Sequence, residues 1–150
     1  MAQCSIDTPL GRVIATSDEV GICALDFDTT VLVKEESDKH LEQLKHELKE
    51  YFLGKRTTFE VSIHPTGTLF QLSVWNVLCT IPYGHTISYS EEAKLLNHPK
   101  ATRAVANANG KNPLPIIIPC HRVIAKDHSL GGYSGGLWRK EILLDLEKQR

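Results

Sequence analysis

The chain has 150 residues, of which 41% are apolar, and a net charge of −1 at pH 7. This is enough for one domain or two small lobes that bury roughly two-thirds of the unfolded surface, so folding should need neither a metal nor a disulfide. No apolar stretch approaches the length of a membrane span, and the near-zero net charge excludes a general attraction of the whole chain to nucleic acid.

The charge is divided unevenly along the chain. Residues 1–64 carry 7 basic and 12 acidic side chains, a balance of −5, whereas residues 65–150 carry 10 and 6, a balance of +4. With the break at His64-Pro65-Thr66-Gly67, this predicts an N-terminal lobe over 1–64 and a more basic C-terminal domain over 65–150. We expect an α+β fold, with an antiparallel sheet plus a helix in the first lobe and a mostly helical second lobe.

The cysteines indicate a reducing environment. They are Cys4, Cys23, Cys79 and Cys120, they include no Cys-x-x-Cys pair, and no secretory signal precedes them. Free thiols in this number favour a cytoplasmic location, or a nuclear one in a eukaryote.

The first predicted elements are strands. Two short apolar and β-branched runs, 12–16 and 21–27, are separated by Ser17, Asp18 and Glu19, which predicts a hairpin. The alternating residues 58–63 predict a further strand near the end of the lobe.

A helix is predicted between these strands. Ser37 is placed to cap it, Gly54 to end it after about Phe52, and one face carries leucines at 41, 44 and 48. His40 and His46 lie among charged residues of this helix, so we expect both to be solvated. Nothing in this lobe assembles a reactive group.

The second lobe opens with two helix starts. Thr68 and Gln71 are in capping-box relation before a helix with an apolar face that includes Trp75, which we interpret as core. Ser88 and Glu91 form a second box before a short helix that ends near residue 96.

A helix-turn-helix is predicted next. Asn97, His98 and Pro99 turn the chain, and the alanine-rich residues 100–109 form the second helix. The second helix of such a pair usually enters a DNA groove, although the same pair is also a common packing device. Arg103 is the one long side chain on it.

The most informative residues are Pro119-Cys120-His121-Arg122-Val123, which place a thiol beside an imidazole. Only the thiolate is a strong nucleophile, so a neighbouring base has a chemical role to fill. The preceding residues 112–119 contain three prolines, and we expect an extended, buried strut that delivers Cys120, with Asn112 bonding backbone groups at its base.

A glycine-rich loop follows the thiol. Residues 131–136 read Gly-Gly-Tyr-Ser-Gly-Gly and precede a last helix from Leu137 to about Lys148. The loop suits the close approach of a flat ligand or serves as a connector; a phosphate-binding loop is disfavoured because no Gly-Lys-Ser/Thr ending is present.

This combination resembles the O6-alkylguanine-DNA alkyltransferases, also called methylated-DNA–protein-cysteine methyltransferases. The resemblance covers residues 68–148 and depends on Arg103, Asn112-Pro113, the signature around Cys120 and the Tyr-Ser-Gly-Gly loop. It implies repair of O6-alkylguanine, and possibly O4-alkylthymine, in double-stranded DNA: the helix-turn-helix binds the minor groove, the damaged nucleotide is flipped out, and the alkyl group passes to Cys120 in a single turnover. It implies a monomer that needs no cofactor and binds no membrane.

The resemblance also implies roles for individual residues. Cys120 is the nucleophile, His121 its base through a water, Glu147 the carboxylate that orients the imidazole, Tyr89 the proton donor to the departing guanine, and Asn112 the support of the active-site segment. Arg103 fills the stack that the flipped base vacates. Further substrate or DNA contacts are assigned to Ala101, Thr102, Pro115, Tyr133, Ser134 and Lys140.

Chemistry supports these roles independently. An alkyl ether carbon is a poor electrophile and guanine a poor leaving group, so the site needs a thiolate on one side and a proton donor on the other. Two other functions stay open: a module that binds alkylated DNA without chemistry, and a cysteine hydrolase. Some relatives hold a structural zinc, but Cys4 and Cys23 have no matching histidines here, so we expect no metal site.

Overall fold

The computed structural model describes residues 1–27 and 30–148. The chain forms two compact units, Met1–Thr66 and Gly67–Arg150. The α+β class predicted from the sequence is confirmed, with a three-stranded antiparallel sheet in the first unit and most of the helices in the second. No helix among the described residues is long and apolar enough to cross a membrane.

The N-terminal unit contains a sheet in the order β1-β2-β3. Its strands are β1 (Ala2–Thr8), β2 (Gly11–Ser17) and β3 (Ile22–Asp26). The predicted hairpin corresponds to β2 and β3, whereas β1 was not predicted. The apolar residues Ala2, Cys4 and Ile6 alternate with polar ones, which is a strand signal that the sequence reading did not use; of the β1 side chains only Cys4 is buried.

Helix α1 (Lys39–Phe52) packs against this sheet. The predicted cap is wrong by one residue: Asp38, not Ser37, accepts the hydrogen bond from the Leu41 amide, at 2.8 Å, because Ser37 Oγ donates to Glu42 instead. Leu41, Leu44 and Leu48 are buried as predicted, and Gly54 adopts a φ of 75° just beyond the helix.

Two other expectations in this unit are wrong. The predicted strand over 58–63 is reduced to one bridge between Ile63 and Ile22, because the buried Glu47 carboxylate accepts from the amides of residues 60 and 61 and takes them out of a ladder. His40 is 8% exposed rather than solvated, with Nε2 3.2 Å from the carbonyl oxygen of Glu19.

The C-terminal unit is mostly helical. Its elements are α2 (Leu69–Leu78), β4 (Ile87–Ser88), α3 (Tyr89–Leu95), α4 (Thr102–Gly110), β5 (Val123–Ile124) and α5 (Leu137–Lys148). Both predicted capping boxes are present, Thr68 with Gln71 and Ser88 with Glu91. Each satisfies two helix-end amides, which explains why these two helix starts were visible in the sequence.

The helix-turn-helix consists of α3 and α4. Asn97 makes the turn with a φ of 62°. Val105 and Ala108 bury one side of α4, and Trp75 lies beneath it, donating from Nε1 to the carbonyl oxygen of Ala108 at 2.9 Å. Arg103 is on the exposed side, so packing leaves this cation facing solvent.

The proline-rich segment 112–119 is buried but is not extended, so that part of the prediction is wrong. The Ile118 amide donates to the carbonyl oxygen of Leu114 at 2.8 Å, and Ile116 has a φ of 75°, so the chain folds into a compact turn. Asn112 bonds the backbone as expected: Nδ2 donates to Ile118 O and Oδ1 accepts from the Leu114 amide, at 2.8 and 2.9 Å. Its side chain replaces the donors that the prolines lack.

Candidate active site

Cys120 begins a single 3₁₀ turn, Cys120–Arg122, directly after the buried proline-rich turn. It is 7% exposed, and burial raises the pKa of its thiol to about 11, against the lowering effects of the Asn112 hydrogen bond and the positive charge of Lys140. In this resting state the thiol is therefore protonated at neutral pH, and reaction requires a base.

His121 belongs to a buried hydrogen-bond network with Glu147 and Arg122. Its Nε2 is 2.8 Å from Glu147 Oε2, and both side chains are buried. A carboxylate only accepts hydrogen bonds, so Nε2 carries the hydrogen and the neutral ring keeps its lone pair on Nδ1. That nitrogen is buried and has no partner among residues 1–27 and 30–148. Burial lowers the pKa of His121, opposed by Glu147.

Arg122 is a site residue that sequence reasoning quoted without giving it a role. Its Nε donates to Glu147 Oε1 at 2.8 Å, one terminal nitrogen donates to Glu147 Oε2 at 3.0 Å, and the other donates to the carbonyl oxygen of Ile81 at 2.7 Å. This two-pronged contact fixes the carboxylate that His121 also bonds. The sequence contains a signal for this role, because Arg122 follows a buried apolar run and a buried arginine needs an anionic partner.

A cavity of about 420 Å³ opens at the thiol. Its lining combines aromatic rings, small residues and one buried amide: Tyr89, Ala106, Asn109, Gly110, Cys120, Gly132, Tyr133 and Ser134. Four residues predicted for the site therefore line the same cavity: Tyr89, Cys120, Tyr133 and Ser134. A cavity of this size and composition suits a flat, largely apolar ring with a few polar atoms.

Tyr89 and Lys140 are held together through the glycine-rich loop. The Tyr89 hydroxyl accepts from the Gly132 amide at 3.1 Å, and Lys140 Nζ donates to the carbonyl oxygens of Gly132 and Val123 at 2.9 and 2.6 Å. A Cβ at Gly131 would lie 2.8 Å from the Tyr89 hydroxyl, and its φ is 71°, so the loop needs glycine there.

Lys140 is a fully buried cation near the thiol. Burial lowers its pKa to about 8, while an ionised Cys120 would raise it. The ammonium has no carboxylate partner among the described residues; it donates to two carbonyl oxygens and lies over the Tyr89 ring, 5.9 Å from the ring centroid. Its charge is therefore available to stabilise a thiolate.

The other predicted residues lie outside the cavity lining. Arg103, Ala101 and Thr102 are at the start of α4, with Arg103 exposed, and Pro115 is buried in the proline-rich turn. Asn112 reaches the site through backbone contacts and through its hydrogen bond to Cys120. Tyr133, by contrast, lines the cavity, and burial of its hydroxyl raises the pKa of that group.

Asn109 lines the cavity, although sequence reasoning gave it no role in the site. It is 7% exposed, and its Nδ2 donates to the fully buried Glu92 at 2.7 Å. Sequence reasoning missed this pair because the two residues belong to different helices of the helix-turn-helix. Within the described residues, no group of three or more His, Cys, Asp and Glu side chains is placed to hold a metal ion.

Comparison with protein families gives two matches that together span nearly the whole chain. Residues 2–65 match the ribonuclease-like domain of 6-O-methylguanine DNA methyltransferase, and residues 69–149 match the DNA-binding domain of the same family. The second match includes the cavity, Cys120 and the helix-turn-helix.

Individual relatives agree with this. A methylated-DNA–protein-cysteine methyltransferase of Methanosarcina barkeri is 44% identical over 95% of this chain and 94% of its own length, and an inducible one of Bacillus subtilis is 53% identical over 82% and 68%. A crystal structure of Mycobacterium tuberculosis OGT in complex with DNA has a TM-score of 0.91 and 40% identity, covering 99% of this chain and 94% of that one. The chain therefore belongs to the 6-O-methylguanine DNA methyltransferase family, and its activity is the transfer of a methyl group from methylated DNA to a protein cysteine.

Proposed function

We propose that Cys120 is the alkyl acceptor and that it takes the group from O6-alkylguanine extruded from double-stranded DNA, with O4-alkylthymine as a second candidate substrate. The observation that carries this is the position of its thiol in the wall of a 420 Å³ cavity, with Tyr89 and Tyr133 in the same wall. Cys79, in contrast, is exposed, and Cys4 and Cys23 lie in the other unit.

His121 acts as the base. Its Nδ1 is the nitrogen with a free lone pair, because Nε2 donates to Glu147, and the thiol proton passes to Nδ1 through a water. The resulting imidazolium is stabilised by the Glu147 carboxylate, which Arg122 holds in place. Lys140 supplies a second positive charge that favours the thiolate.

The transfer forms one bond and breaks one. The Cys120 sulfur attacks the alkyl carbon in line, an S–C bond forms, and the bond from that carbon to guanine O6 breaks with its electron pair remaining on guanine. Tyr89, in the cavity wall, gives a proton to the departing base and recovers one afterwards, so the thiol hydrogen ends on guanine. Because a thioether is not reversed by any of these groups, each molecule reacts once.

DNA recognition is assigned to the start of α4. Arg103 is exposed there, and Ala101 and Thr102 are small enough for the helix to approach the duplex closely. Arg103 occupies the space that the extruded nucleotide leaves, which offsets part of the cost of unstacking. The positive balance of residues 65–150 supports phosphate binding that weakens as salt rises.

The remaining residues shape the cavity. Tyr133 and Ser134 line it from the glycine-rich loop, whereas Pro115 and Asn112 support the turn that carries Cys120. We place the protein in a reducing compartment, cytoplasmic or nuclear, because the acceptor must remain a free thiol.

Intact-mass measurement tests the proposal. The protein is incubated with duplex DNA that contains one O6-methylguanine, and we expect a gain of one methyl group, mapped to Cys120, with at most one lesion repaired per protein molecule. Cys120→Ser should abolish the gain, while Cys79→Ser, which removes an exposed thiol, should leave it intact. Repeated turnover would indicate a hydrolase, and binding without a mass change would indicate a lesion-binding module.

A further inference from the structure

A second buried carboxyl group lies beside the proposed acceptor. Glu92, on α3, has no exposed surface, and its Oε1 accepts a hydrogen bond from Asn109 Nδ2 at 2.7 Å. Asn109, on α4, is 7% exposed and lines the same cavity as Cys120. Glu92 is thus joined to the cavity wall through one side chain, although the mechanism above gives it no task.

Each side chain of this pair has one further oxygen atom besides the atoms in the Glu92–Asn109 hydrogen bond. Glu92 Oε2 and Asn109 Oδ1 are both buried, and neither has a hydrogen-bond partner in the part of the chain that the structure describes. If Glu92 were ionised, both atoms would be acceptors without a donor, which is costly in a protein interior. One proton on Oε2 removes the problem, because it supplies a donor next to the carboxamide whose oxygen lacks one.

Within residues 1–27 and 30–148, no cation forms an ion pair with Glu92. On α3 the neighbouring charged side chains Glu91 and Lys94 are exposed. Of the elements that pack against α3, helix α2 and strands β4 and β5 contain no charged residue, and the one cation of α4, Arg103, is exposed. An ionised Glu92 would therefore be a buried and unpaired charge, which favours the neutral acid.

We propose that Glu92 is held as a neutral carboxylic acid in a cyclic, doubly hydrogen-bonded pair with the carboxamide of Asn109, and that this pair fixes Asn109 as a donor in the substrate cavity. In the pair, Oδ1 accepts from the acid and one Nδ2 hydrogen donates to it. Only the second Nδ2 hydrogen is then free. This hydrogen can donate to an acceptor atom of the extruded base, either a ring nitrogen or O6. Because Glu92 orients the Asn109 amide for this contact, it is a positioning residue for substrate recognition.

The same neutrality benefits the thiolate. A negative Glu92 would raise the pKa of Cys120 further, whereas the neutral acid does not oppose its ionisation. Burial raises the pKa of Glu92 to about 7, opposed by the Asn109 hydrogen bond, which is consistent with a proton retained at and below neutral pH.

The proton is measured on the free protein, independently of any reaction. Carboxyl carbon NMR of glutamate-labelled protein, assigned by comparison with Glu92→Gln, should show Glu92 protonated at about pH 6, where ordinary glutamates are ionised. A Glu92 signal that is already ionised at about pH 5.5 would overturn the inference. The neighbour Glu91→Gln, which keeps a capping side chain, is the matched control and should leave that signal unchanged.

The kinetic consequence rests on the proposed function. In single-turnover repair of O6-methylguanine in duplex DNA, Glu92→Leu should be roughly tenfold slower, because the Asn109 amide loses its partner. Glu92→Gln, which offers the same donor and acceptor as the acid, should stay within about twofold of the unchanged protein. A glutamine variant as slow as the leucine variant, or a leucine variant as fast as the unchanged protein, would each overturn the role.

The two failures are distinguishable. If Cys120 gained no methyl group, the proposed function would fail while the NMR result on Glu92 stood. If the leucine variant proved unstable, the double variant Glu92→Gln with Asn109→Asp restores an acid and an amide in exchanged positions. It should recover the stability that Asn109→Asp alone loses, and no recovery of stability would count against the cyclic pair. The repair rate should stay low in this double variant, because an aspartic acid in the pair has no second hydrogen to donate to the base.

Discussion

His121 Nε2 lies 2.8 Å from Glu147 Oε2, although the two residues are 26 positions apart in the chain. Both side chains are buried, and α5 brings the carboxylate to the 3₁₀ turn. The Glu147 carboxylate also accepts two hydrogen bonds from the Arg122 guanidinium, so it binds both side chains at once. It is therefore a structural support and a determinant of the imidazole tautomer.

Removing that carboxylate should affect stability and rate together. We expect Glu147→Gln to lower the free energy of unfolding by about 3 kcal/mol, because it leaves Arg122 as a buried cation without a carboxylate. Transfer to Cys120 should slow at least about a hundredfold, because an amide no longer favours the Nδ1 lone pair or the imidazolium. Denaturant unfolding and single-turnover rates check this, with the exposed Glu141→Gln on the same helix as a neutral control.

Tyr89→Phe separates proton donation from binding. The variant keeps the ring in the cavity wall but removes the hydroxyl, so we expect alkyl transfer to slow by about a hundredfold while affinity for duplex DNA stays near normal. Transfer is followed by quenched single-turnover assays and affinity by fluorescence anisotropy with a Cys120→Ser background. A large loss of affinity with little loss of rate would make Tyr89 a DNA contact instead.

Arg103→Ala should slow repair of duplex DNA much more than reaction with the free base O6-methylguanine, since only the duplex requires extrusion at a cost of a few kcal/mol. We expect at least a tenfold loss on duplex and little change on the free base. Lys100→Ala, which removes an exposed charge at the same turn, should mainly reduce the salt dependence of binding. Equal losses on the two substrates would remove Arg103 from the extrusion step.

The buried acid also predicts how stability varies with pH. The pKa of Glu92 is raised from 4.5 to about 7, so the folded state holds a proton that the unfolded state releases between these values. The stability it contributes is complete below about pH 4.5 and lost as pH rises through 7, by about 3 kcal/mol in all. The unfolding free energy of the unchanged protein, relative to that of Glu92→Gln, should therefore fall as pH rises from about 4.5 to 7. A difference between the two proteins that does not vary with pH would contradict the prediction.

Local signals in the sequence predicted those parts of the fold that local interactions determine. The capping residues Thr68 and Ser88 each satisfy helix-end amides within three positions, so the starts of α2 and α3 were readable. The candidate nucleophile could also be predicted, because Cys120 and His121 are adjacent in the sequence.

What escaped prediction depends on partners distant in sequence. Residues 58–63 alternate like a strand, but Glu47 takes their amides; Arg122 gains its role only when α5 delivers Glu147. The Glu92 and Asn109 pair, 17 positions apart, likewise depends on two helices packing together. No local propensity encodes these contacts.

Alkylation itself should destabilise the protein. Although the thiol borders the cavity, Cys120 is only 7% exposed, and a methyl group on its sulfur adds volume beside the buried turn and the Asn112 hydrogen bond. Overpacking of this kind costs about 1 to 3 kcal/mol, which lowers the melting temperature by several degrees for a chain of this size. Calorimetry on protein before and after stoichiometric methylation measures the change. Cys120→Ser treated with the same DNA controls for bound product, and an unchanged melting temperature of the methylated protein would show that the site is loosely packed around the sulfur.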